Sequence, residues 1–101
     1  MIVRVLVSGA VDTKIIEVIR QIMEPLRSYD QEKHAFIYLG AMKCPHGRLQ
    51  NKFRYQILAR IKQDATDDVI NYMDSLIRNM EQQPIARNIK IFFEINPASL
   101  S

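Results

Sequence analysis

Two histidines, one cysteine and a knot of acids are the side chains here whose types could do chemistry, and their spacing assembles no reaction centre. Cys44-Pro45-His46 sets two metal ligands side by side, but a structural zinc site needs about four. His34 lies across the intervening segment, so Cys44 reads as an idle thiol in a flexible loop. Two histidines offer no Ser–His–acid or Cys–His–Asn set. Asp64, Asp67 and Asp68 resemble a carboxylate cluster, yet helix capping accounts for them. No Gly-x-x-x-x-Gly-Lys-Ser/Thr loop is present to cradle nucleotide phosphates. The chain reads as non-catalytic.

Charge is the informative property. The 101 residues carry 14 Lys and Arg against 11 Asp and Glu, a net charge of +3. Residues 40–62 hold Lys43, Arg48, Lys52, Arg54, Arg60 and Lys62 with no acid, an island of +6 on a body of −3. Such an island concentrates positive potential and attracts a polyanion. The bland alternative is a solvated loop whose cations pair with helix acids.

These residues must be positioned by a fold, and the hydrophobic pattern supplies one. Residues 2–8 alternate around Val3, Val5 and Val7 as a strand. Asp12 or Thr13 can cap a helix with the stripe Ile15, Ile16, Ile19, Ile22, Met23 and Leu26. Pro25 should kink or stop that helix, since it lacks the amide that would bond to Gln21. Ser28–Lys33 then reads as a polar loop and His34–Leu39 as a second strand. A connection of about ten residues with Pro45 and Gly47 follows, long for a hairpin. Phe53–Ile61 alternates between Phe53, Tyr55, Ile57, Ala59 and Ile61 on one face and Arg54, Gln56, Leu58, Arg60 and Lys62 on the other. Thr66-Asp67-Asp68 opens a second helix with the stripe Val69, Tyr72, Met73, Leu76, Ile77 and Met80, ended by Pro84. Ile89–Ile95 is the last strand.

The order β-α-β-β-α-β predicts an α+β, ferredoxin-like βαββαβ two-layer sandwich. It has a four-stranded mixed sheet with both helices on one face, and residues 1–101 form one domain. The other face is open, and the outward set is Arg4, Leu6, His34, Phe36, Tyr38, Arg54, Arg60, Lys90 and Phe92. Rings interleaved with cations would suit single-stranded nucleic acid. Equally, an apolar patch of Phe36, Leu6, Leu58 and Phe92 would be covered by another domain or by a second copy, as a weak homodimer.

At 48% hydrophobic and 25% charged, with one cysteine, the composition is that of a soluble globule in a reducing, cytoplasmic setting. No apolar run reaches the roughly 18 residues of a membrane helix, and the N-terminus reads as no secretion signal.

Leu39–Leu58, LGAMKCPHGRLQNKFRYQIL, resembles the C-terminal domain of primosomal protein N′, the PriA-type replication-restart DNA helicase. That family has a Leu-Gly-Pro-x-Pro-x-Pro-x-x-Arg-Ile-Lys-x-x-Tyr-Arg-Tyr/Trp-Gln-Ile-Leu run. Gly40, Pro45, Arg48, Asn51, Phe53-Arg54-Tyr55-Gln56 and Ile57-Leu58 fall in register with it. Phe93-Glu94-Ile95-Asn96-Pro97 is similar to the family's terminal Asp-Val-Asp-Pro, and Val3–Gly9 resembles the strand that begins the domain. Ala41 and Lys43 stand where the family has prolines, Gln50 where a basic residue is common, and Glu94 and Asn96 where it has aspartates.

The resemblance implies a domain of a helicase that binds abandoned replication forks and reloads the replicative helicase. The parent's ATPase lobes, zinc module and 3′-end-binding domain are not in these residues, so ATP and zinc would belong to other parts of it, and this chain carries no cofactor. Partners expected are fork or single-stranded DNA and the parent's helicase lobes. The family also docks the acidic tail of single-stranded DNA-binding protein, but Asp64, Asp67 and Asp68 would repel such a tail here. Lys43, Arg48, Lys52 and Arg54 are expected to meet phosphates, with Lys62 extending the track and Tyr55 either core or a stacking ring. The rival expectation is a structural docking domain that packs on the helicase lobes, or self-associates, without touching DNA.

Overall fold

A computed structural model describes residues 1–49 and 52–96, with side chains described through Cys44 and again from Lys52. The chain runs β1 (Ile2–Gly9), α1 (Asp12–Lys33), β2 (Phe36–Leu49), β3 (Lys52–Ile61), α2 (Thr66–Glu81) and β4 (Lys90–Ile95). Short 3₁₀ turns at Gln63–Ala65 and Pro84–Ala86 flank α2. The strands form one sheet in the order β2-β3-β1-β4, and the α+β arrangement is ferredoxin-like.

Every bonded pair in that sheet is antiparallel, which corrects the expectation of mixed direction. The reason lies in the crossovers. Each helix returns the chain to a strand running the same way as the one before it, but not beside it. β3 slots between β1 and β2, and β1 between β3 and β4, so parallel strands are never neighbours.

The valines of β1 fulfil their alternation. Val3, Val5 and Val7 are fully buried, facing Ala59, Ile57 and Tyr55 on β3 and Ile95, Phe93 and Ile91 on β4. Ile15, Val18, Ile22 and Leu26 of α1 and Val69, Met73, Ile77 and Met80 of α2 close the core over that side. Ile16, placed in the stripe by its type, is 47% exposed, and Val18 takes the inward position.

α1 does not stop at Pro25 but continues to Lys33, through the segment expected to be a polar loop. A mid-helix proline costs about 3 kcal/mol. The turns beyond it offset that cost by burying Leu26 completely and stacking Tyr29 on Tyr72 of α2, ring centroids 4.6 Å apart. The end is then fixed by His34 in the left-handed conformation, its amide donating to the Asp30 carbonyl at 2.7 Å. The Asp30 carboxylate also accepts the Phe36 amide at 3.1 Å, tying the helix to β2. Neither helix has a side-chain N-cap: Asp12 sits inside α1, and the Thr66 hydroxyl donates back to the Lys62 carbonyl.

The long connection after Gly40 is also absorbed into structure. β2 continues to Leu49, and the surplus residues form an irregularity between Lys43, opposite Tyr55, and Arg48, opposite Phe53. Pro45 falls inside this bulge, where its missing amide interrupts no regular ladder. Cys44 is therefore buried in a strand rather than idle in a loop, and burial pushes its thiol pKa up against the pull of Arg54 and Arg4. Residues 50 and 51, and Pro97 of the family-like ending, lie outside the described residues.

Candidate nucleic-acid interface

β3 is the strand on which the candidate side chains must be placed, and its cross-strand register sorts them. Odd-numbered residues of β3 lie opposite the buried valines of β1 and face the helices; even-numbered residues face away from them. Tyr55 is on the helix side, half-buried. Its hydroxyl donates to Asp12 of α1 at 2.8 Å, a bond that, with burial, raises the phenol pKa above its ordinary value. Lys43, opposite Tyr55 on β2, is exposed at the rim of the same side. Its ammonium stands 5.7 Å from the Phe53 ring centre and 6.0 Å from that of Tyr55, within cation–π reach.

Alternation puts Lys52 and Arg54 on the other side, Lys52 exposed and Arg54 half-buried. Lys62 follows the far end of β3, in a cleft with Tyr29, Lys33, His34, Asp64 and Asp68. At about 3.3 Å per residue it lies some 33 Å along the strand from Lys52, with two acids around it. The Arg48 backbone is in β2, but its side chain lies outside the described residues. Of the six expected residues, Lys52 and Arg54 therefore share one face, Lys43 and Tyr55 sit across the sheet from them, and Lys62 stands apart.

The open face has an order that the pairing makes explicit. Lys90, Ser8 and Arg54 form one rung across β4, β1 and β3. Phe92, Leu6, Gln56 and Met42 form the next. Then come Glu94, Arg4, Leu58 and Gly40, and last Ile2, Arg60 and Tyr38. Asn96, in the left-handed conformation, closes the last rung by exchanging hydrogen bonds with Ile2. Phe92, Tyr38 and Met42 are 57%, 49% and 43% exposed. Tyr38 leans over Gly40: a Cβ there would sit 2.5 Å from the Tyr38 hydroxyl oxygen.

His34 and Phe36, expected on this face, are not there. His34 caps α1, and a register shift between Phe36 and Tyr38 turns Phe36 into the core, 8% exposed. Glu94, for which the sequence suggests no partner, is the counter-ion of Arg4. One guanidinium nitrogen of Arg4 donates to both of its carboxylate oxygens at 3.0 Å. The period-two pattern of β4, which sets Glu94 level with Lys90 and Phe92, was the available signal. Among the described residues, Arg4 Nε and Gln56 Oε1 are buried here without hydrogen-bond partners.

Ion pairing divides the cations sharply. Among the described residues, the pairs are Arg4 with Glu94, Arg20 with Glu17 and Glu24, Lys33 with Glu32, and Arg78 with Asp74. None uses a cation from 40–62. Within the described residues no cluster of three or more His, Cys, Asp or Glu is placed to hold a metal, and no helix is long and apolar enough to cross a membrane.

No family model matches the chain, and no curated protein matches it. Among solved structures it is similar to a dimeric ferredoxin-like protein from an uncultured marine organism, with a TM-score of 0.65 and 10% identity. That match covers 92% of this chain and 89% of the other.

Proposed function

We propose that this chain is a non-catalytic DNA-binding domain of the kind found at the C-terminus of primosomal replication-restart helicases, working in the cytoplasm beside helicase lobes. The observation that carries the reading is the division of charge. Among the described residues every ion pair draws its cation from outside residues 40–62, which leaves Lys43, Lys52, Arg54 and Arg60 without a carboxylate partner. Cations left unpaired on a β-hairpin are available to phosphates, and phosphate contacts position a protein without reading sequence.

The test is a salt titration of fork and single-stranded DNA binding with the full chain. Replacing Lys52 or Arg54 by Ala should flatten the dependence of log K on log salt by about 0.7–0.9 for each phosphate no longer neutralised. An unchanged slope in both variants, or no DNA affinity in the wild type, rejects the reading.

Self-association through the open face is a second reading, supported by the exposed Phe92, Tyr38 and Met42 and by the dimeric state named for the similar structure. Charge weighs against it. Among the described residues the strands present Arg4, Lys52, Arg54, Arg60 and Lys90 on that face against Glu94 alone, so two copies face to face would oppose like charges. Sedimentation at low and high salt separates the two readings, since a face-to-face dimer should tighten as salt screens that repulsion.

A further inference from the structure

Two ring–cation units occupy opposite corners of the open sheet face. On β4, Phe92 stands two residues from Lys90 on the same side; on the opposite edge, Tyr38 of β2 lies directly across from Arg60 of β3. Phe92 and Tyr38 are among the most exposed large side chains described, and among the described residues none of Lys90, Arg60 and Arg54 is in an ion pair. The two edge strands are three strand spacings apart, about 14 Å, and the rings stand two rungs apart, about 13 Å along the strands, so about 19 Å separates the corners. Between the corners lies a strip of Leu6, Met42 and Leu58 that, among the described residues, offers no further charge except the Arg4–Glu94 pair, already neutral.

We infer that this face is a platform for unpaired DNA, whose bases stack on Phe92 and Tyr38 while its phosphates meet Lys90, Arg54 and Arg60. The inference rests on the DNA-binding reading above and adds to it the form of DNA and the residues that select it. Ring faces accept any base, so recognition is of single-strandedness rather than sequence. A duplex keeps its bases stacked inside and cannot use the rings. The net positive charge of the face suits a polyanion better than a second copy of the chain, and its exposed rings suit bases better than a phosphate backbone alone.

The test measures binding of a fluorescein-labelled thymidine homopolymer and of a blunt duplex of equal length to the full-length chain. Phe92→Ala and Tyr38→Ala should each weaken binding of the homopolymer between about fivefold and a hundredfold, the range expected for removing one base–ring stack. Neither should change duplex binding or the salt slope. Phe92→Trp keeps a ring, should hold affinity within about twofold of wild type, and should show indole emission quenched by the homopolymer; this arm remains decisive if an alanine variant unfolds.

If the wild type binds DNA with a slope that responds to Lys52 and Arg54, yet Phe92→Ala and Tyr38→Ala bind the homopolymer as the wild type does, the platform is overturned and the DNA reading survives. If no DNA binds, both fall together. A stable dimer that buries Phe92 and binds the homopolymer no better than the duplex also overturns the platform.

Discussion

Replacing Glu94 by Gln should move stability and DNA affinity in opposite directions. The Arg4 side chain is 9% exposed and that of Glu94 21%, with both carboxylate oxygens 3.0 Å from one guanidinium nitrogen. Breaking a buried pair by removing one partner costs about 3–5 kcal/mol, because the remaining charge is left uncompensated. Glu94 keeps a fifth of its side chain in water and Gln retains one acceptor oxygen, so the expected cost falls to about 2 kcal/mol. For a domain of this size that lowers the thermal midpoint by roughly 8–16 °C. Arg4 Nε has no hydrogen-bond partner among the described residues, so these supply no second bond for the variant to fall back on. Replacing the pair together, with Arg4→Met and Glu94→Leu, should recover most of the loss, since apolar substitutes avoid the desolvation cost of both ions. On the binding side, Glu94→Gln removes the one carboxylate that the described residues place on the open face. A phosphate passing about 10 Å from the uncovered charge gains roughly 0.4 kcal/mol in a water-like dielectric, about twofold in affinity at low salt. Urea unfolding followed by circular dichroism, alongside homopolymer binding at low and high salt, measures both effects. A stability loss below about 0.5 kcal/mol, or affinity that falls together with stability, would refute this view of the open face.

Two further substitutions probe the same sheet. Tyr55→Phe deletes the hydroxyl that donates to Asp12 and should cost about 1 kcal/mol. Because the phenol pKa is raised in the folded protein, that contribution is fully present below the unfolded value near 10 and fades as pH rises through the folded one. Wild-type and variant stability curves should therefore converge in alkali and stay parallel at neutral pH. Gly40→Ala places a methyl against the Tyr38 ring, which can swing away because its hydroxyl is the far end of a flexible side chain. Stability should change by less than about 1 kcal/mol, while the Tyr38 ring resonances shift by NMR; an unmoved ring would show that it does not lie over Gly40.

How much of the fold is legible in the sequence follows the range of the forces involved. Local alternation in Val3–Val7 and Phe53–Ile61 specifies which side of each strand is buried, because a one-residue slip would expose every valine. That is why the element order and the helix-facing side were legible. Three features were not, and each is decided by how one element meets another and not by the local pattern. Pro25 is tolerated because Tyr29 finds Tyr72, and Cys44 becomes a buried strand residue because β3 extends the ladder to Leu49. Phe36 turns inward because the bulge before Tyr38 resets the alternation.

The same distinction governs the candidate interface. A run of cations in sequence looks like one patch, but a strand deals its side chains alternately to two faces and spreads its ends some 33 Å apart. Residues 40–62 therefore do not act as a unit: Lys43 goes to the helix side, Arg54 and Arg60 to the open side, and Lys62 to a cleft shared with Asp64 and Asp68. The patch that results on the open face is completed by Lys90 and Phe92 from β4 and Tyr38 from β2, which lie far from β3 or outside the basic run in sequence. Pairing also explains why Arg4, fully charged in any sequence count, contributes little to the field: Glu94 cancels it from the neighbouring strand. Net charge over a window identifies a class of ligand, whereas register and ion pairing decide which side chains are left to meet it.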